Sequence, residues 1–195
     1  AIAWSPGSRR LLFVANYGYA PNDEAMRLLV DRVLPELISY DPAVTLRLVG
    51  PGIAANDRVR SAAGVVVEGF VDDLAEVYAS SELMVAPLMA GSGTKLKVLE
   101  AFGYGLPVVT TPKGAEGLPF TEREAAVGST IDELVAKSIQ LLADHDRGHC
   151  APDRRAGPAG RPAVQWGHRA AARRSDRAVV VHLEPGQPDG AGLHL

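Results

Sequence analysis

The feature that most constrains this chain is an alternation of short apolar runs with segments of helical periodicity. Five runs predict strands, at residues 11–15, 45–49, 64–67, 83–86 and 108–111. They are mainly apolar at consecutive positions, as strands buried on both faces of a sheet are. The segments between them carry apolar residues three and four apart, which predicts helices. The pattern predicts an α/β fold, a Rossmann-like parallel sheet with helices on both faces.

Local signals predict where the helices begin and where a ligand would lie. Caps are expected at Asn22 or Asp23, at Asp72 or Asp73, and at Thr130. Pro35 lies inside the first helical stripe and is expected to kink or shorten that helix. Ligands of parallel sheets bind at the carboxyl ends of the strands. The loops at those ends are residues 16–22, 50–52, 69–72, 87–94 and 111–117.

Residues 89–107, MAGSGTKLKVLEAFGYGLP, combine a small-residue loop with a helix. Thr94 is expected to cap the helix, and Leu96, Leu99 and Phe102 to face the core. The Gly-Tyr-Gly turn is expected to end it.

Two interpretations of this block remain open from the residues alone. The first is an anion site, because a helix that opens from a glycine-rich loop offers unpaired N–H groups and a positive dipole end. Lys95 and Lys97 in the first turn favour it. The second is a capped core helix, since Leu96 replaces the third glycine of a dinucleotide fingerprint and no P-loop Gly-Lys pair follows.

Composition restricts the partners. The formal net charge is −3, which argues against a nucleic-acid partner held by charge. No apolar run approaches the roughly 20 residues of a membrane helix. The single cysteine, Cys150, excludes an internal disulfide, so a reducing compartment such as the cytoplasm is expected.

The composition changes abruptly after Asp144. Residues 1–144 carry 12 basic and 18 acidic groups, whereas residues 145–195 carry 8 and 5. All five histidines lie in the second segment, where Ala, Gly, Pro and Arg make up 29 of 51 residues. We expect residues 145–195 to form an irregular, low-complexity tail without a packed core or a metal site. A shifted reading frame and a natural basic tail both explain it.

Three blocks in order, LLFVANYGYAPN, LRLVGPG and the run from VEGFVDD to TTPKGAEGL, resemble the C-terminal half of a family-4, GT-B-fold glycosyltransferase. The block GSGTKLKVLEAFGYGLPVV is the most specific part. The resemblance implies a nucleotide-sugar-binding domain at residues 10–144, after a linker remnant at residues 1–9. It also implies transfer of a hexose-type sugar with retention of configuration, without a metal or other cofactor.

The resemblance assigns Glu100 to the ribose hydroxyls of the donor, for which a carboxylate is suited because it accepts more than one hydrogen bond. Ser92 stands where the family has a second glutamate. Contacts to the sugar would then come from the Ser92 hydroxyl and from the backbone of Gly91, Ser92, Gly93 and Thr94. Without the resemblance, Glu100 is more simply an exposed residue that pairs with Lys97.

The resemblance also indicates how the diphosphate and the base would be held. Asn16 and Asn22 stand where the family often has an Arg and a Lys that neutralise the pyrophosphate, and Lys95 and Lys97 would compensate. Phe70 and Val71 would lie against the base. Each has a simpler alternative, because asparagines are common in turns, lysines are commonly surface charges and Phe70 is as suited to the core.

An N-terminal half that binds the acceptor is implied but not contained in these residues. The chain would then be inactive alone, and any peripheral membrane contact would belong to that missing half. The alternative is a non-catalytic nucleotide-binding or interaction remnant of a truncated gene.

Overall fold

The computed structural model describes residues 7–53, 57–91, 95–118 and 125–146, without the side chains of residues 58, 145 and 146. These residues form a sheet of six parallel strands in the order β3-β2-β1-β4-β5-β6. The strands are β1 (Arg10–Val14), β2 (Thr45–Val49), β3 (Val65–Gly69), β4 (Leu83–Ala86), β5 (Val108–Thr110) and β6 (Ala125–Val127). The predicted α/β, Rossmann-like class is confirmed.

The strand order reverses direction at the centre of the sheet. The chain runs outward from β1 through β2 to β3, and then crosses back to β4 on the other side of β1. In parallel sheets of this kind, ligands bind at the carboxyl ends of the strands where the strand order reverses. We call this place, at the carboxyl ends of β1 and β4, the switch point.

Strand β6 is the strand that the sequence pattern did not predict. It pairs with β5 through three residues, Ala125 to Val127, and only Ala125 is fully buried. Three small residues are too short a run for a periodic signal, so the pairing with β5 decides their conformation.

Helices alternate with the strands. They are α1 (Ala20–Leu28), α2 (Leu34–Tyr40), α3 (Asp57–Arg60), α4 (Leu74–Ala79), α5 (Leu96–Gly103), α6 (Pro112–Ala115) and α7 (Ile131–Asp146). The side chain of Asp73 caps α4, as predicted, by accepting a hydrogen bond from the Ala75 N–H at 2.8 Å. Thr130 Oγ1 likewise accepts from the Glu133 N–H at the start of α7. None of the described helices is both long and apolar enough to cross a bilayer.

The first helix differs from the prediction in its cap, and it is shortened before Pro35 as predicted. It begins at Ala20, with Tyr19 rather than Asn22 or Asp23 at the N-cap position. Its α-helical hydrogen bonding ends at Leu28, and a π-helical turn, Leu29–Val33, joins α1 to α2. The Leu34 N–H bonds the carbonyl of Leu29 in this wider turn, which accommodates a residue that lacks an N–H of its own.

Helix α5 presents a face that only partly matches the prediction, since Phe102 packs against the core as predicted but Leu96 does not. The N-cap position falls on Lys95 instead of Thr94, and the buried residues are Val98 and Ala101. Leu96, predicted to be core, is 57% exposed, because the packing of α5 against β5 fixes the rotation of so short a helix. The Gly-Tyr-Gly turn ends the helix as predicted. Gly105 has φ +69°, and the next N–H bonds the Ala101 carbonyl in a Schellman motif.

A network of charged side chains lies at the amino ends of the strands. Glu82 is completely buried, and its Oε2 accepts from the Arg9 backbone N–H at 2.7 Å. The Arg9 guanidinium reaches Glu82 Oε1 at 3.4 Å and Asp41 Oδ2 at 2.6 Å. Hydrogen bonding from the Ala43 N–H and the Arg9 charge hold the pKa of Asp41 below its usual range. The buried carboxylate therefore has both a hydrogen-bond donor and a countercharge.

Residues 1–6 and 147–195 lie outside the described residues, and so do the predicted linker remnant, for the most part, and almost all of the predicted tail. Helix α7 continues to Asp146, two residues past the predicted boundary at residue 144.

Candidate functional site at the switch point

The loops that leave β1 and β4 touch at the switch point. Gly91, with φ +115°, lies so close to the β1 loop that an added Cβ would be 3.7 Å from the Tyr19 hydroxyl oxygen and 3.9 Å from Pro21 Cβ. The loop after β2 is held to the same region. A Cβ on Gly50 would lie 1.9 Å from the Ala15 carbonyl oxygen, so only glycine fits there. Three of the predicted ligand loops therefore meet at one edge of the sheet.

Lys97 extends from α5 toward the β1 loop. Its Nζ donates to Asn22 Oδ1 at 2.6 Å and lies 5.1 Å from the centroid of the Phe13 ring. Burial, and after it the neighbouring Lys95 charge, lower the pKa of Lys97 to about 8, although the Glu100 carboxylate acts in the opposite direction. The site therefore holds an ammonium group that its own surroundings disfavour.

Of the two asparagines in the β1 loop, Asn22 contacts the Lys97 amine and Asn16 shapes the loop. Neither side chain carries a positive charge. Asn22 is buried, and its Nδ2 donates to the Asn16 carbonyl at 2.8 Å, which leaves Oδ1 toward Lys97. Asn16 Oδ1 accepts from the Gly18 N–H at 2.9 Å and shapes the loop. The β1 loop itself has no charged side chain, and α5 places the Lys97 ammonium group beside it.

Glu100 lies one turn further along α5. Its Oε2 accepts a hydrogen bond from the Tyr78 hydroxyl of α4 at 3.0 Å. The Tyr78 ring stacks on Tyr104, with centroids 4.8 Å apart and an interplanar angle of 12°. Glu100 and Lys97 do not form the simple i,i+3 pair, because Glu100 bonds Tyr78 of α4 and Lys97 bonds Asn22 of α1.

The rest of the predicted donor site is only partly described. Lys95 is buried, and its Nζ donates to the Gly91 carbonyl at 3.3 Å, so it braces the loop before α5. Ser92, Gly93 and Thr94 lie outside the described residues, and the contacts predicted for them stay predictions.

Phe70 and Val71 follow β3 at the edge of the sheet. Phe70 is 74% exposed, so the alternative of a core phenylalanine is wrong. Val71 is partly buried against the core. An exposed ring beside the carboxyl edge is compatible with a contact to a base, and that contact stays a prediction.

Tyr78 and Tyr104 are the site residues that sequence reasoning missed. Tyr78 fits the apolar stripe of its helix and is indeed 1% exposed, so the pattern gives no sign that its hydroxyl has a polar partner. Tyr104 lies between two glycines that mark a helix end. Its spacing of four from Glu100 was the available signal, because residues four apart share a helix face.

Residues 8–144 match the family described as Glycosyl transferases group 1. The chain belongs to this glycosyltransferase family. An uncharacterised 44.6 kDa protein from the cps region of Klebsiella pneumoniae is 26% identical over 138 residues, which are 66% of this chain and 36% of that protein.

Solved glycosyltransferases share the fold of this domain. An Anabaena protein, Alr3699/HepE, in complex with UDP and glucose matches 74% of this chain and 41% of its own, with a TM-score of 0.57 and 17% identity. A glycosyltransferase from Rickettsia africae matches 72% and 39%, with a TM-score of 0.54 and 12% identity. At these identities the likeness shows the fold alone, the GT-B type. The glycosyltransferase chain spans about two fifths of the length of these proteins.

Within the part of the chain that the structure describes, no group of three or more His, Cys, Asp or Glu side chains is arranged to hold a metal ion. The histidines of the tail lie outside that part, at His149 and beyond, and the side chain of His145 is not described.

Proposed function

We propose that this domain binds a nucleoside-diphosphate sugar at the switch point and serves as the donor half of a glycosyltransferase. The observation that carries the proposal is the environment of the Lys97 amine. The two contacts that the structure gives it, an amide oxygen and an aromatic ring, are both uncharged. Uncharged contacts only partly replace the water that the Lys97 ammonium group loses, and the diphosphate of a donor would supply the countercharge.

The remaining assignments complete the donor. Glu100 accepts from the ribose hydroxyls, and Lys95 and the amides at the start of α5 approach the pyrophosphate. Ser92, Gly93 and Thr94 contact the sugar, Asn16 shapes the pyrophosphate loop, and Phe70 and Val71 lie against the base. Support comes from the start of α5 beside the β1 loop and from the exposure of Phe70.

The reaction proposed is transfer of a hexose-type sugar with retention of configuration, without a metal, to an acceptor held by an N-terminal half. The family supports transfer, and the Anabaena protein, solved with UDP and glucose and with UDP-glucose, supports this class of donor. The matched proteins are more than twice as long as the matched region, which supports a second half. The single cysteine supports a cytoplasmic site of action.

Calorimetric titration of the full 195-residue chain with UDP, GDP and ADP tests the proposal. We expect saturable binding of at least one of them, weakened in Lys97→Met and unchanged in Lys137→Met, which removes a lysine from α7. No binding of any of the three at millimolar concentration would exclude a donor site. Efficient sugar transfer by the chain alone would exclude the need for an acceptor half.

A further inference from the structure

We propose that Tyr78 is a positioning residue that holds the Glu100 carboxylate in the orientation needed to accept from the ribose hydroxyls, with Tyr104 fixing the Tyr78 ring. This inference rests on the proposed function, since it assumes that Glu100 faces the ribose. It adds a residue from a different helix, α4, to a site otherwise built from the loops and α5.

The geometry supports a positioning role because the two residues differ greatly in freedom. Tyr78 is 1% exposed, and its ring is clamped by stacking on Tyr104 at 4.8 Å. Glu100 is exposed, and an exposed glutamate samples many rotamers. The hydroxyl contact at 3.0 Å transfers the rigidity of the buried ring to the exposed carboxylate. Without such a contact, ordering the glutamate on binding costs rotamer freedom.

The hydrogen bond occupies one oxygen of the carboxylate and leaves the other for a ligand. Tyr78 donates to Oε2, and because this contact orients the whole carboxylate, it also orients Oε1. Burial, with the Glu100 charge as a further cause, raises the pKa of Tyr78, which keeps the hydroxyl protonated as a donor throughout the neutral range.

The test compares ribose with dideoxyribose. The full chain, as parent and as Tyr78→Phe, is titrated with whichever of UDP, GDP and ADP binds, and with the 2′,3′-dideoxy form of the same nucleotide. We expect Tyr78→Phe to weaken the ribonucleotide about 3- to 10-fold, as loss of one hydrogen bond does, and to leave the dideoxy form within about 2-fold. In a Glu100→Ala background the same change should have no further effect on either ligand.

Ser138→Ala is the control. It removes another buried hydroxyl, in α7 and away from the ligand loops, which donates to the Leu134 carbonyl at 2.8 Å, and it should lower stability without changing the ratio of the two affinities. If Tyr78→Phe does not fold, Tyr104→Leu keeps the hydroxyl, loosens the ring and should reduce the same ratio to a smaller extent.

The outcomes separate this inference from the proposed function. If Glu100→Ala weakens ribonucleotide binding but Tyr78→Phe changes both ligands equally, or neither, the positioning role is wrong and the donor site stands. If the parent binds none of the nucleotides, the donor site itself is wrong, and the positioning role falls with it.

Discussion

At the amino ends of the strands, Glu82 is completely buried and meets Arg9 through both the backbone N–H and the guanidinium. At the carboxyl ends, Lys97 meets an amide oxygen and an aromatic ring. Both are charges removed largely from water, and only the first has an opposite charge in direct contact. At its two ends the same sheet therefore carries one charge with a countercharge in direct contact and one charge whose direct contacts are uncharged.

The difference indicates what each end contributes. A buried charge whose partners are all in place holds segments together, and its loss is severe because the partner is left unpaired. A largely desolvated charge without a countercharge in direct contact lowers the stability of the ligand-free fold, and it is retained where a ligand completes it. We expect substitutions at the amino end to change stability alone, and substitutions at the carboxyl end to change binding more than stability.

Glu82→Ala should have the largest effect and should act on stability. It leaves the Arg9 guanidinium and N–H without their buried partner, which should lower the free energy of unfolding by about 3–5 kcal/mol. Chemical denaturation measures this, with Glu36→Ala on the exposed face of α2 as a control that stays within about 0.5 kcal/mol. If the folded variant also binds nucleotide more weakly than the parent, the separation of the two ends is wrong.

Glu100→Ala should weaken nucleotide binding more than it lowers stability. Loss of the ribose contact should weaken nucleotide binding by about 1.5–3 kcal/mol, the range for hydrogen bonds to charged groups. Because Glu100 is exposed, the free energy of unfolding should change by about 1 kcal/mol or less. Calorimetry and denaturation on the same sample, again beside Glu36→Ala, measure both quantities. Unchanged affinity would make Glu100 an ordinary surface residue.

Lys97→Met should weaken diphosphate binding and stabilise the free domain. The loss of binding should be about 1.5 kcal/mol, and should be absent with the nucleoside that lacks phosphates. The melting temperature without ligand should rise by a few degrees, because the desolvated charge is gone. A lower melting temperature would mean that the Asn22 contact outweighs the cost of burial.

The pH dependence of the parent sharpens the same comparison. Lys97 has a pKa of about 8 in the folded chain, below its usual value, so between pH 8 and 10 the unfolded chain binds a proton that the folded chain has lost. Stability should therefore rise with pH in that window, while diphosphate affinity falls because the bound anion requires the ammonium form. Lys97→Met should show neither trend, and Lys137→Met should show both.

Phe70→Ala should have the smallest effect. The ring is 74% exposed, so its removal should change stability by no more than about 0.5 kcal/mol. A base that lies on the ring would lose about 1 kcal/mol of binding, the lower end of the range for base–aromatic stacking. Tyr40→Ala, another exposed aromatic residue, is the control on α2. Equal affinities for UDP in both variants would place the base elsewhere.

Local pattern was sufficient for the order of the elements. Strands β2 and β4 have the predicted bounds, and β1, β3 and β5 differ by one or two residues, because runs of apolar residues between turn signals depend mainly on the chain nearby. The resemblance placed the chain in its family from the block around Glu100. Neither source predicted β6, whose conformation depends on pairing with β5.

Sequence pattern was enough to predict the α/β class, the sheet edge at which the candidate site lies and the residue types available there. The tertiary structure alone decided which side chains meet. The burial of Val98 in place of Leu96 depends on how α5 packs on the sheet. The Lys97 contact joins residues 75 positions apart, and the Tyr78–Glu100 contact joins two helices. Periodicity reports which face of one element is apolar, whereas a hydrogen bond between elements depends on packing that no local pattern contains.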